Sequence, residues 1–420
     1  MSSSNVYEEV LLKAKKAKEA SKILAVASSE TKNKALRSAA TAIVENKEYI
    51  LRENEKDVET LKKTLGDVPL VDRLLLNQKR IEEMANGLIE LSTLPDPVGE
   101  VVEGWTTRHG LEILKVRVPF GVVGVIYEAR PNVTSDVAGI AIKSGNAAIL
   151  KGGQEAINSN IAIVKVIREA ISRFLPEESI QIIENMSREA VKVMLGLQDY
   201  IDLIIPRGSA SFIKYVRENS KVPVIETGAG NNHIFVNYDA DFDMAIKIIV
   251  NAKVQRPTVC NAVRKLLVHS KIAKEFIPVL VSSLEKYKVK IKGCPRTREI
   301  VQSIEEVKEE DWYEEYMDLT LAVKVVDSIE EAIEHINKYG TKHSEAIITS
   351  NIEDAKLFTK LVDASTVYVN ASTRFTDGNQ FGFGAEVGIS TQKLHARGPM
   401  GLRELTTTKF IVYGSGQIRE

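Results

Sequence analysis

The chain has 420 residues, 44% of them apolar, enough to fill the cores of roughly two or three domains. Its 56 basic residues nearly balance 57 acidic ones, and a formal net charge of -1 gives no whole-chain field favouring nucleic acid or a membrane surface. Two cysteines, Cys260 and Cys294, lack CxxC spacing and are too few for a secreted disulfide scaffold; with an N-terminus that leads into a charged helix and not an apolar signal core, they predict a cytoplasmic protein.

Residues 6–63 carry apolar positions at helical spacing (Val6, Val10, Ala14, Ala17; then Leu36, Ala39, Ala40, Ile43) among many Lys and Glu. The run Lys13-Ala14-Lys15-Lys16-Ala17-Lys18 reads as a solvated helix face before it reads as a basic patch, because acids follow closely. A further helical pattern spans Val71 to Leu91 and ends near Pro95 and Pro97. Extended runs on either side of Arg108-His109-Gly110 predict a hairpin, with an edge that another subunit would cover.

From Val122 strands and helices alternate: apolar runs at 122–127, 147–150, 180–183, 201–205 and 222–225, separated by helices, predict a parallel sheet with helices on both faces. After Glu226 the series restarts, with strands at 233–236, 264–268, 319–326, 345–349 and 366–370 and helices between them, a second α/β domain. A glycine-rich tail (Gly378, Gly382, Gly384, Gly388) ends in a strand from Lys409 to Tyr413.

Within the second domain, Val254-Gln255-Arg256-Pro257-Thr258-Val259-Cys260-Asn261-Ala262 joins an amphipathic helix to a strand, and Pro257 stops the helix. A thiol on such a connection is placed as a nucleophile would be; free Cys also serves as a small buried hydrophobe, and this stretch alone leaves both readings open. GxGxxG, GxxxxGK[ST] and HExxH are absent, which disfavours a standard Rossmann fingerprint, a P-loop and a zincin site. Two strand ends nevertheless suit phosphate: one delivers Lys151 before Gly152-Gly153, the other Arg207-Gly208-Ser209 at the start of a helix. Taken singly, Ser209 is an N-cap and Lys151 a surface lysine. Glu226, opening the turn Thr227-Gly228-Ala229-Gly230, is either a general base or a turn-capping acid.

These pieces together resemble the aldehyde dehydrogenase superfamily. The resemblance is carried by Cys260 behind its helix, Glu226 before a glycine-containing turn, Asn132 after the Gly121-Val122-Val123-Gly124 strand, and the strand-terminal Lys151. Further runs are similar to the branch that reduces gamma-glutamyl phosphate to glutamate 5-semialdehyde in proline biosynthesis. They are Tyr127-Glu128-Ala129-Arg130-Pro131-Asn132, Lys143 to Gly153, Pro206-Arg207-Gly208, Gln255-Arg256-Pro257, Cys260-Asn261 and, most specific, Ser390 to Gly401.

The resemblance implies an aldehyde-dehydrogenase-like α/β fold of two parallel α/β domains with an oligomerisation hairpin: 1–102 and 119–227 binding NADP(H), 228–395 carrying the cysteine, 103–118 and 396–420 for oligomerisation. It implies Cys260 as the nucleophile that forms a thioester, with Asn132 and the Cys260 backbone N–H holding the oxyanion. Lys151 would meet the adenosine ribose or its 2′-phosphate, and the neutral Gln154 three residues on favours NADPH; Gly208 and Ser209 would approach the pyrophosphate and Glu315 the nicotinamide ribose. Glu226 would be structural or cofactor-orienting, since reduction of an acyl phosphate has no hydrolytic water to activate. Arg130 and Arg256, each beside a proline, are candidates for the substrate's phosphate, with Arg397 next in line; each reads equally as a surface arginine paired with an acid. A homo-oligomer acting on a small-molecule substrate, in association with glutamate 5-kinase and without nucleic acid, membrane or metal, completes the expectation. The alternatives are an NAD(P)-dependent dehydrogenase that oxidises an aldehyde to an acid with Glu226 as base, and a non-catalytic nucleotide-binding scaffold.

Overall fold

The computed structural model describes residues 3–66 and 69–419, so Met1 and Ser2, at the head of the stretch read above for a signal segment, lie outside the described residues. The chain divides into two units, one comprising Met1–Thr227, Gly382–Gly388 and Met400–Glu420, the other Gly228–Phe381 and Ile389–Pro399.

The first unit opens with the helices Ser3–Leu24, Ser29–Glu45 and Lys47–Leu65, followed by Pro69–Leu74 and Gln78–Thr93, as the helical spacing predicts. The stripe of Ser3–Leu24 packs on a four-stranded parallel sheet in the order Ile180–Ile182, Ala147–Lys151, Val122–Tyr127, Leu203–Arg207, while Ser29–Glu45 packs on Gln78–Thr93 and on the sheet's own helices Pro131–Lys143 and Ile157–Ile171. Every residue of Val122–Tyr127 and Ala147–Lys151 is buried, which is why those strands read as unbroken apolar runs. The chain leaves Val122–Tyr127 toward one side of the sheet and later returns on the other with Leu203–Arg207. A topological switch point therefore lies between the carboxyl ends of those two strands.

The fifth strand expected at 222–225 is not formed. Val224 makes an isolated bridge to Ile204, since Pro223 has no N–H to continue a ladder. The expected hairpin is present as Val101–Thr106 paired antiparallel with Glu112–Pro119, and Thr406–Tyr413 adds a third strand to it. Trp105, Phe410, Val412 and Tyr413 of that sheet are exposed, and Trp105 packs edge to face on Phe410.

The second unit is built on a seven-stranded, wholly parallel sheet in the order Glu305–Glu306, Lys290–Gly293, Thr320–Val326, Val263–His269, Asn232–Val236, Ser344–Ile348, Thr366–Val369. The first two of these and the helix Pro295–Ile300 carry too few apolar residues in phase to be assigned from sequence. Cys294 belongs to this unit's core, with Sγ 3.3 Å from Thr297 Oγ1. Among the described residues no helix is long and apolar enough to cross a membrane.

Candidate active site

In the second unit the helix Phe242–Val254 ends in a turn that carries Cys260 and runs into the strand Val263–His269. The cysteine thus stands at the amino edge of its sheet. Turns expose carbonyls, and five of these are met by side chains. Arg264, the first inward side chain of the following strand and fully buried, donates to Pro257 O and Val259 O, both at 2.8 Å. Asn232, buried at the start of the neighbouring strand, donates to Cys260 O at 2.7 Å and Ala262 O at 2.8 Å. Thr373 Oγ1 donates to Asn261 O at 2.7 Å. Gly230 lies so close to the Cys260 carbonyl that a Cβ there would overlap it, which excludes any other residue at that position. The backbone of the turn is fixed on all sides, while Cys260 keeps partial exposure.

Three basic side chains, Lys253, Arg264 and Lys265, are buried beneath this turn. Burial, followed by the Arg264 charge, pushes Lys253 down to about 6 and Lys265 down to about 7. Arg264, which burial lowers from a much higher value, is the cation that persists, and it interacts with the Cys260 charge.

Glu315, expected at a nicotinamide ribose, stands beside the same turn. Its Oε1 accepts the Gly230 N–H at 2.8 Å and lies 4.0 Å from Arg264 Nη2. Arg256 is exposed at the turn's start. Arg397 pairs with Asp363 at 2.8 Å, which also takes Lys342 and Lys393, so its charge is already met. Sequence reading missed Arg374: half-buried in the loop after Thr366–Val369, it donates through Nε to Gln255 Oε1 at 3.0 Å and through Nη1 to Asn261 Oδ1. The run Asn370-Ala371-Ser372-Thr373-Arg374, polar residues following an apolar strand, was the available signal.

In the first unit Lys151 ends its strand with the ammonium buried, 2.9 Å from Gly152 O and 3.8 Å from Met186 Sδ, and burial lowers its pKa. Gly208 and Ser209 lie at the switch point, where Ser209 caps the helix Ala210–Asn219 through Phe212 N. Glu128 stands at this helix end: a Cβ on Gly208 would be 3.0 Å from its carboxylate carbon, and it accepts from the Ser209 N–H. Its pKa is raised by burial and then by Glu155. A carboxyl side chain thus stands at the positive end of the helix dipole. Glu155 is turned inward, with Oε1 accepting the Ala129 N–H at 2.6 Å and holding Ala129 at a φ of 36°. That left-handed residue costs about 1–2 kcal/mol, and it sets the direction of the Tyr127 to Asn132 turn.

Arg130 occupies the cap position of the helix Pro131–Lys143. Asn132, exposed in that helix's first turn, donates from Nδ2 to Asp136 at 3.1 Å. Burial pushes Asp136 up to about 6, against the lowering effects of Asn132 and Arg207. Glu226 pairs with Arg217 at 3.4 Å, which suits a structural acid better than a free base. Among the described residues no group of His, Cys, Asp and Glu is arranged to hold a metal.

Comparison with known proteins places these features in a family. The model of the aldehyde dehydrogenase family matches residues 4–318 and 310–411. The gamma-glutamyl phosphate reductase of Caldanaerobacter subterraneus is 59% identical over 413 residues, 98% of this chain and 100% of the relative, and that of Clostridium acetobutylicum 57% identical over 417 residues, 99% and 100%. The crystal structure of the Thermotoga maritima gamma-glutamyl phosphate reductase superposes with a TM-score of 0.96 at 53% identity, covering 98% of this chain and 100% of that one.

Two outcomes follow from the geometry. Arg264→Met should orphan two turn carbonyls, lower stability by about 2–5 kcal/mol and reduce turnover at least about tenfold in melts and assays; a variant with wild-type melting and rate would remove the turn's dependence on Arg264. Asp136 titrates near 3.8 in the unfolded chain and near 6 in the folded one, so the folded form holds the extra proton and stability falls as pH rises through that window. The stabilisation of Asp136→Asn over wild type should therefore grow between about pH 4 and pH 7. Parallel melting curves across that range would contradict it.

Proposed function

The chain belongs to the aldehyde dehydrogenase family, an oxidoreductase of that fold, and on that premise we propose that it reduces L-glutamate 5-phosphate to L-glutamate 5-semialdehyde and phosphate in L-proline biosynthesis, with NADPH and a thioester on Cys260. The observation that carries the proposal is the Cys260 turn, a half-exposed thiol on a backbone fixed at five carbonyls, in a chain similar over its whole length to reductases of that name.

In the forward direction the Cys260 thiolate attacks the acyl carbon. A C–S bond forms, the C–O bond to phosphate breaks, and phosphate departs with the electron pair. The resulting thioester accepts hydride far more readily than a carboxylate would. Arg264 keeps the turn in place and its fixed charge favours the thiolate. Asn132 as oxyanion donor belongs to the same proposal.

NADPH, when bound, supplies the hydride. The amino end of the helix Ala210–Asn219, with Gly208 and Ser209 before it, supports a phosphate site at the first unit's switch point, where Glu128, its pKa raised by burial, has to give way. Lys151 supplies an ammonium near the strand end, with Glu155, which accepts the Ala129 N–H, close enough to interact with its charge. The exposed Trp105, Phe410, Val412 and Tyr413 support oligomerisation through the three-stranded sheet. Association with glutamate 5-kinase in the cytoplasm would pass on a labile acyl phosphate directly.

The deciding assay is NADP+ reduction by glutamate 5-semialdehyde with and without inorganic phosphate; turnover should require phosphate, and steady oxidation without it would favour aldehyde-to-acid chemistry. Cys260→Ala should lose at least about a thousandfold in turnover while melting and binding NADPH as wild type does, whereas Cys294→Ala should keep most activity. More than about a tenth of wild-type turnover in the Cys260 variant would end the thioester mechanism. Lys151→Ala should weaken NADPH binding by about tenfold or more, and NADH binding less, in fluorescence titrations; equal losses would put Lys151 on hydroxyls common to both cofactors.

A further inference from the structure

We infer that Arg374, acting with Arg256, grips the phosphoryl group that leaves from, and in reverse attacks, the acyl group on Cys260. The inference rests on the acyl-phosphate reading given above and deepens it.

Its first support is how Arg374 is held. Asn261, the residue after the nucleophile, donates from Nδ2 to Arg374 O at 3.2 Å and Thr376 O at 2.9 Å, while its own carbonyl accepts from Thr373 Oγ1. Thr376 Oγ1 is in turn anchored by Ser344 Oγ at 2.6 Å and Tyr368 OH at 2.8 Å. The 373–376 loop is therefore sewn to the cysteine turn, and the guanidinium cannot shift independently of Cys260.

The second support is charge. The side-chain partners of Arg374 are two neutral amide oxygens, Gln255 Oε1 and Asn261 Oδ1, and among the described residues no carboxylate lies within 4.0 Å of it. Asp377 attracts it from further away, whereas Arg256 repels it. Two arginines brought into mutual repulsion, one of them half-buried and bound only to neutral oxygens, form an arrangement that an anion between them would relieve. Arg374 also interacts with the charge of Cys260. In an acyl phosphate the phosphorus is separated from the attacked carbon by a single bridging oxygen, while the α-carboxylate lies at the far end of the glutamyl chain. A guanidinium tied to the residue next to the nucleophile is thus suited to the phosphoryl oxygens, which its planar fork matches.

In the reverse reaction a phosphate oxygen attacks the thioester carbonyl, a C–O bond forms, and the C–S bond breaks to release the Cys260 thiolate. Arg374 would hold the incoming phosphate and neutralise its charge without exchanging a proton.

The test follows NADP+ reduction by glutamate 5-semialdehyde at varied inorganic phosphate in wild type, Arg374→Lys and Arg374→Gln. Arg374→Gln should raise KM for phosphate by about tenfold or more, with KM for semialdehyde and for NADP+ changed less than about twofold, and Arg374→Lys should fall between. If wild type turns over independently of phosphate, the acyl-phosphate reading fails. If wild type depends on phosphate and the variants keep its KM, the inference alone fails. A rise in KM for semialdehyde with the phosphate value unchanged also overturns it, by moving Arg374 to the α-carboxylate. Should Arg374→Gln not fold, Arg374→Lys carries the test through a second readout, inorganic phosphate protecting Cys260 from iodoacetamide: the half-protecting concentration should rise several-fold, and an unchanged value overturns the inference.

Discussion

The second unit depends on one constraint: a turn whose carbonyls point inward must find donors for every one of them. The carbonyls of Pro257, Val259, Cys260, Asn261 and Ala262 are met by three side chains, Arg264, Asn232 and Thr373, from three separate elements. An orphaned buried carbonyl costs about 1–3 kcal/mol, so slippage of the turn is opposed at each position. The same set of bonds leaves the thiol itself half-exposed. Rigidity of backbone with access to the side chain is what covalent catalysis requires of its nucleophile.

The two sheets use their edges differently. In the first unit the residues proposed for a nucleotide lie at the carboxyl ends of parallel strands, around the point where strand order reverses, beside a helix amino end. Glu128 stands at that end, with its pKa raised by burial and by Glu155. In the second unit the cysteine turn precedes its strand, so the proposed chemistry would be gathered at the amino edge by loops that return there.

Much of this was legible in the sequence because burial leaves a pattern. Both parallel sheets appeared as apolar runs, since strands covered on both faces need no polar alternation, and the hairpin appeared through its turn residues. The expected strand at 222–225 failed through Pro223, and Lys290–Gly293 stayed hidden because its residues are largely charged and half-exposed. At the site, Cys260 and the Gly208-Ser209 helix start could be read from local punctuation. Arg264 could not, because a buried arginine in a strand is indistinguishable from a surface one until the fold shows what it touches, and Arg374 was marked only by the polar run after Thr366–Val369. Arg397 illustrates the reverse: its place in the Ser390 to Gly401 run suggested a site, and the fold gives it Asp363.

The central claim is that Cys260 carries the acyl group and that phosphate, not water, releases it. Rapid mixing of the enzyme with glutamate 5-semialdehyde and NADP+ in phosphate-free buffer tests this most directly, with mass analysis of the quenched protein. A burst of NADPH matching the number of active sites, an acyl adduct on Cys260, and resumed turnover when phosphate is added is the result the account predicts. Continuous NADPH formation without phosphate, or a burst that leaves Cys260 unmodified, would contradict it.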